Sequence, residues 1–116
     1  MIFKISKGLL LSLIIASGSL YATSIKDLKQ KCANKDGKSC HILAAYYYDK
    51  KDYGKSTKYA LKSCSLDEAI ACGVAGRAYE NGEGVKKDTK KAKLYYKKAC
   101  NLGLSKGCEN AKKLEG

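Results

Sequence analysis

The sequence has no proline, no tryptophan, one histidine (His41) and one phenylalanine (Phe3). Beyond residue 22 its only aromatic residues are eight tyrosines, and its large aliphatic residues there are few. A core must therefore come from tyrosine and alanine, and in a chain of 116 residues burial alone gives such a core little margin. One imidazole excludes a metal site built from several histidines. The cysteines include no Cys-x2-Cys pair of the kind structural zinc uses, so no metal is expected. Acidic residues are scarce, 11 against 23 lysines and arginines, and Arg77 is the only arginine.

That imbalance gives a formal net charge of +12, which draws a protein toward acidic surfaces. The lysines are spread as "KKDTKKAK", "KK" and "KSTK" along helix exteriors and read as a solvated face. No groove-reading motif accompanies them, so nucleic acid is not an expected partner. Two of the lysines, Lys4 and Lys7, precede an apolar run from about Gly8 to Ala16 in "MIFKISKGLLLSLIIASGSLYATS". A charged start, a short apolar stretch and a small, polar end form the pattern of a secretory signal peptide. The run is too short to span a bilayer, so no transmembrane anchor is expected. Residues 1–22 are read as the signal, cut after Ala22 or, alternatively, after Ser19. Residues 23–116 are the exported part, destined for the periplasm or the medium. No cysteine lies near the cut, which argues against a lipid-anchored product.

What the chain does have is cysteine at a fixed interval. Cys32 and Cys40, Cys64 and Cys72, and Cys100 and Cys108 are each eight positions apart. Six cysteines in a short exported chain read as a disulfide framework. They allow fifteen pairings, and the sequence alone does not choose among them. If each eight-apart pair is bonded, the chain must turn between its members. An unbroken helix would separate them by roughly 12 Å, whereas bridged α-carbons lie within about 7 Å. Turn-forming residues stand in each interval: Asn34, Asp36 and Gly37, then Ser65 and Asp67, then Gly103. Each such bridge closes a loop of about nine residues and contributes roughly 2–3 kcal/mol in the chain-entropy account.

The cysteines also mark a repeat. "CGVAGRAYENGEGVKKDTKKAKLYYKKAC" aligns with "CHILAAYYYDKKDYGKSTKYALKSC", with four extra residues at "NGEG". Tyr79 answers Tyr47, Asp88 answers Asp52, Lys91 answers Lys55 and Tyr95 answers Tyr59. Apolar spacing is helical throughout. Helices are predicted near 25–35, 38–50, 52–64, 67–81, 88–102 and 105–114. Ser24 with Asp27 begins the first, Asp52 and Asp88 stand at N-cap positions, and Gly82 and Gly84 end the fourth. Small Gly76 and Ala92 would let neighbouring helices approach closely. The fold expected is all-α: a short right-handed solenoid of αα-hairpins forming one domain over 23–116. Its repeat units run about 37–66 and 68–102, flanked by half-repeats, with a polar final helix as a cap.

"AGRAYENGEGVKKDTKKAKLYYKKAC" resembles the Sel-like repeat, a relative of the tetratricopeptide repeat. Gly76, Tyr79, Gly82, Gly84, Val85, Asp88, Lys91, Ala92, Tyr95, Tyr96, Lys98 and Ala99 match its pattern, and Ala75 and Ala78 replace the usual leucines. With cysteines eight apart at successive hairpins, the chain resembles the Helicobacter cysteine-rich (Hcp) family. That resemblance implies bridges 32–40, 64–72 and 100–108. It also implies two functions. One is an adaptor that binds a peptide or protein, of host or envelope origin, on the concave face of the stack. The alternative is penicillin binding with weak β-lactamase activity, in which the ligands are β-lactams or peptidoglycan fragments.

The residues bear on that alternative. Three positions after the serines beyond residue 23 stand Asp27, Ile42, Tyr59, Leu66, Glu68 and Cys108, so no Ser-x-x-Lys occurs. No cofactor is expected, and no catalytic residue can be assigned. The concave-face candidates are Arg77, Glu80 and Asn81, with Tyr48 and His41 one repeat earlier. Arginine and asparagine hold peptide backbone or carboxylate through oriented hydrogen bonds, and Tyr48 offers an aromatic contact. The competing reading makes these solvated helix positions and His41 a boundary residue beside a buried cysteine. Within Tyr46–Tyr48, Tyr47 is expected in the core. The chain is read as a monomer.

Overall fold

The computed structural model describes residues 24–115; the signal-peptide expectation for residues 1–22 lies outside them. Six helices follow in order: α1 Ile25–Ala33, α2 Gly37–Asp49, α3 Tyr53–Ser65, α4 Ala69–Asn81, α5 Thr89–Asn101 and α6 Ser105–Glu115. Every boundary falls within two residues of the spacing-based expectation, and no strand occurs among the described residues.

Local chemistry sets the boundaries. The side chains of Ser24, Asp52 and Asp88 accept the backbone N–H groups of Asp27, Lys55 and Lys91, so α1, α3 and α5 each start on a capped turn. Gly82, in the left-handed region, closes α4. The largest departures from expectation are at the end of α1 and the start of α4, and they share a cause. Lys35 (φ 68°), Asp67 (φ 65°) and Gly103 (φ 102°) each stand three residues after the first cysteine of a pair, in left-handed backbone. Asp67 and Gly103 were among the anticipated turn residues. In the first interval the left-handed position falls on Lys35 instead of Asn34, Asp36 or Gly37.

The turns bring each eight-apart pair together. Cys32–Cys40, Cys64–Cys72 and Cys100–Cys108 are bonded, with α-carbons 4.8, 4.5 and 4.7 Å apart. Each bridge ties the end of one helix to the first turns of the next. The major packing is between consecutive helices, α1 on α2 through to α5 on α6. The result is an all-α, disulfide-linked repeat solenoid.

Alanines and cysteines fill the interior: Ala60, Cys64, Ala71, Cys72, Ala75, Ala92 and Ala99 are sealed from solvent. Small residues let helices close up. A β-carbon on Gly76 would stand 2.6 Å from the Tyr96 ring. The tyrosines pair across each hairpin, Tyr47 on Tyr59 at 5.7 Å and Tyr79 on Tyr95 at 5.5 Å, both nearly parallel. Tyr47 is half-buried rather than fully in the core, because it shares its surface with Tyr59 and with the Lys29 and Lys55 ammonium groups over its ring. Buried hydroxyls are satisfied by backbone: Ser56 donates to the Ala44 carbonyl and Ser63 to the Gly37 carbonyl.

One connection does more than join helices. The "NGEG" loop after α4 reaches back onto the preceding repeat, where Thr57 Oγ1 donates to the Glu83 carbonyl at 2.7 Å. Gly84 (φ 72°) lies so close that any β-carbon would overlap the Tyr53 carbonyl. Glycine is required there for conformation and for room.

Candidate functional site: a groove around Arg77

Arg77 projects from the middle of α4 between two hollows. The first, of about 190 Å³, is bounded by His41, Ala44, Ala45 and Tyr48 of α2 and by Val74 and Arg77 of α4. The second, of about 440 Å³, is bounded by Ile70, Val74, Arg77 and Glu80 of α4, by Tyr96, and by Leu104, Lys106 and Asn110 toward α6. Four of the five sequence candidates, His41, Tyr48, Arg77 and Glu80, are thus brought to one continuous face. Asn81 is not. As the last residue of α4 it is exposed and borders neither hollow.

The guanidinium is held rather than free. Its centre lies 4.7 Å from the Tyr48 ring centroid, a cation–π contact. Its Nε–H donates to Glu83 Oε1 at 3.0 Å, and Tyr48 Oη donates to the other oxygen, Glu83 Oε2, at 3.2 Å. Tyr53 packs edge-on against Tyr48 at 5.1 Å. Glu83 therefore closes a triangle with one residue of its own repeat and one of the repeat before. Sequence reasoning missed it because "NGEG" registers as a glycine loop. The available signal was a lone carboxylate between two glycines, six residues after the only arginine.

Two acidic groups of the face, Glu80 and Glu83, are already engaged, and Asp49 also lines the first hollow. Glu80 Oε1 accepts the Tyr96 phenol proton at 2.7 Å. Burial, reinforced by Glu80, pushes the Tyr96 phenol well above the usual tyrosine range. For Tyr48 the neighbouring Arg77 pulls downward, and the Glu83 charge and hydrogen bond together with burial outweigh it, so this phenol also titrates above its ordinary value. Both phenols are protonated near neutral pH and are poor nucleophiles.

Beside Asp49, the face offers a ligand donors and apolar surface. Arg77 keeps 42 % of its side chain exposed and borders both hollows. His41 lines the first hollow, while its Nδ1 is sealed from solvent with no hydrogen-bond partner among the described residues. Lys106 borders the second hollow. Ile70, which borders the second hollow, is 58 % exposed. Such a surface can hold carbonyl or carboxylate oxygens beside aliphatic side chains. Among the described residues no group of His, Cys, Asp and Glu could hold a metal ion, and no helix is long and apolar enough to cross a membrane.

The Sel1 repeat matches residues 37–68 and 69–104. The solved structure of Helicobacter pylori cysteine rich protein B superposes with a TM-score of 0.74 at 30 % identity, covering 85 % of this chain and 77 % of that one. Beta-lactamase HcpA of Helicobacter pylori is 38 % identical over 65 residues, which are 56 % of this chain and 26 % of that protein. Cytochrome c oxidase assembly factor 7A of Xenopus laevis is 32 % identical over 87 residues, 70 % of this chain and 38 % of that protein. The chain belongs to the Sel1-repeat family, as a disulfide-linked member of the Hcp type. It spans less than two fifths of the length of either curated relative.

Proposed function

We propose that the chain is an exported peptide- or protein-binding adaptor whose ligand lies along the face centred on Arg77. In this reading residues 1–22 direct export, residues 23–116 act as one monomeric repeat domain, and the site is periplasmic or extracellular. The three bridges and the Hcp-type relatives support that compartment. The observation that carries the reading is the fixed guanidinium. Tyr48 and Glu83 hold Arg77 between two hollows while leaving part of it open to solvent. A pre-oriented donor flanked by apolar surface suits an extended backbone and costs little side-chain entropy on binding.

The test is capture of partners from envelope and host extracts by immobilised protein, comparing wild type with Arg77→Ala and His41→Ala at rising salt. The reading expects partners lost in Arg77→Ala and retained at moderate ionic strength. Binding that disappears with modest salt and ignores Arg77 would instead reflect charge alone.

A second reading comes from the name of one relative, Beta-lactamase HcpA. The residues here favour it less. Ser56 and Ser63 are buried and donate to backbone carbonyls, and the two groove phenols are held protonated. Nitrocefin turnover abolished by Arg77→Ala would reverse that preference.

A further inference from the structure

The three bridges have different surroundings. Cys32, Cys40, Cys64 and Cys72 are at most 1 % exposed. Cys32–Cys40 is sealed within a cluster containing Leu28 and Leu43, and Cys64–Cys72 within one containing Ala71 and Ala99. Cys100 and Cys108 are both partly exposed. They line a hollow of about 490 Å³ between α5 and α6, together with Lys97 and Lys112.

One wall of that hollow departs from the earlier repeats. In the repeat register Lys112 occupies the position held by Ala44 in α2 and Gly76 in α4. At Gly76 the following helix comes close enough for Tyr96 to exclude even a β-carbon. Lys112 instead lines the hollow. The helix behind the bridge is also lightly held. Only Gly107 and Ala111 of α6 are buried, and its ion pairs, Glu115 with Lys93 and Lys97, are solvent-exposed.

From this geometry we infer that Cys100–Cys108 is a thiol–disulfide exchange site, which takes an external dithiol and on opening releases α6 from the stack. The attacking thiolate of the dithiol bonds to Cys100 Sγ and breaks the Sγ–Sγ bond. Cys108 leaves as a thiolate in the first turns of α6, where helix N-terminal amides and the nearby Lys112 favour an anion. The dithiol's second thiolate then attacks its own sulfur in the mixed disulfide and expels Cys100 as a thiolate. Two electrons pass to the bridge, the dithiol becomes a disulfide, and its two protons end on the two cysteines. Loss of the link leaves α6 held by buried Gly107 and Ala111 and by the partly buried Leu114, and its departure uncovers Tyr96, which is otherwise 2 % exposed.

The test uses the oxidised, folded chain in dithiothreitol without denaturant. Samples are quenched in acid, alkylated and mapped by peptide mass spectrometry, with hydrogen exchange followed in parallel. Cys100 and Cys108 should be labelled at least about tenfold faster than the other four cysteines, as an exposed bridge requires. Amides of α6 should lose protection in step, while those of α2–α5 keep theirs. Equal opening of all three bridges, or earlier opening of either of the others, would overturn the exchange site. An α6 that stays protected after its bridge is reduced would overturn the release.

Discussion

Arg77 Nε and Glu83 Oε1 lie 3.0 Å apart although a helix terminus and a glycine turn separate them in sequence, and Tyr48 of the preceding repeat completes the contact. The pair orients the groove more than it stabilises the fold. Glu83→Gln keeps the size of the side chain and removes its charge. Because Arg77 is well exposed, the cost to unfolding free energy should be only about 0.5–1 kcal/mol in urea titration. Partner affinity should fall by more than that stability loss explains, because the guanidinium is then free to swing. Unchanged affinity would disconnect the triangle from binding.

Tyr96→Phe removes the proton that Glu80 accepts in a partly buried contact. A loss of about 1–2 kcal/mol is expected from the unpaired carboxylate, measurable by thermal or urea unfolding.

The pH profile follows from the same groups. The folded Tyr96 phenol titrates above its ordinary value of 10.0, so its contribution is complete below that pH and is lost as pH climbs toward the folded value. In acid the sign reverses. Hydrogen bonding from Ser39 holds Asp36 below its ordinary 3.8, and Lys97 holds Glu115 below 4.5. Their contributions are present above those ordinary values and disappear as pH falls through the folded ones. Unfolding free energy should therefore be level between about pH 5 and pH 9 and decline on both sides. Tyr96→Phe should flatten the alkaline decline and leave the acid one intact.

Gly76→Ala places a methyl group 2.6 Å from the Tyr96 ring. Overpacking of this kind costs about 1–3 kcal/mol and should separate α4 from α5. Circular dichroism should report little helix lost, while the melting temperature drops.

Lys35 holds a left-handed backbone without being glycine. Lys35→Gly removes that steric cost, partly offset by greater freedom in the unfolded chain, and should be neutral to stabilising by up to about 1 kcal/mol. A clear loss would mean that the lysine side chain, not its backbone, matters at the turn.

Much of the fold was legible because its determinants are local. The caps at Ser24, Asp52 and Asp88 and the left-handed stop at Gly82 each follow from residues within one turn. The cysteine interval needed only a turn between its members, and the turns are there. The candidate face was legible in part, because Tyr48 and Glu80 are equivalent positions of successive repeats, and His41 and Arg77 lie on the same two helices, about two turns and one turn earlier. Glu83 was not, since its role depends on a loop folding back over Thr57 and Tyr53, a contact no periodicity encodes. Asn81 stands apart from the hollows because α4 ends there: helical spacing puts it beside the stripe, and the structure leaves it exposed at the helix terminus.

Every sulfur link joins cysteines only eight positions apart and bridges consecutive helices. For a polypeptide delivered end-first into an oxidising space, each cysteine therefore meets its proper mate before the next pair emerges. Correct pairing then follows from order of arrival, without a search among wrong isomers, and a hairpin could be duplicated or deleted without disturbing the links on either side.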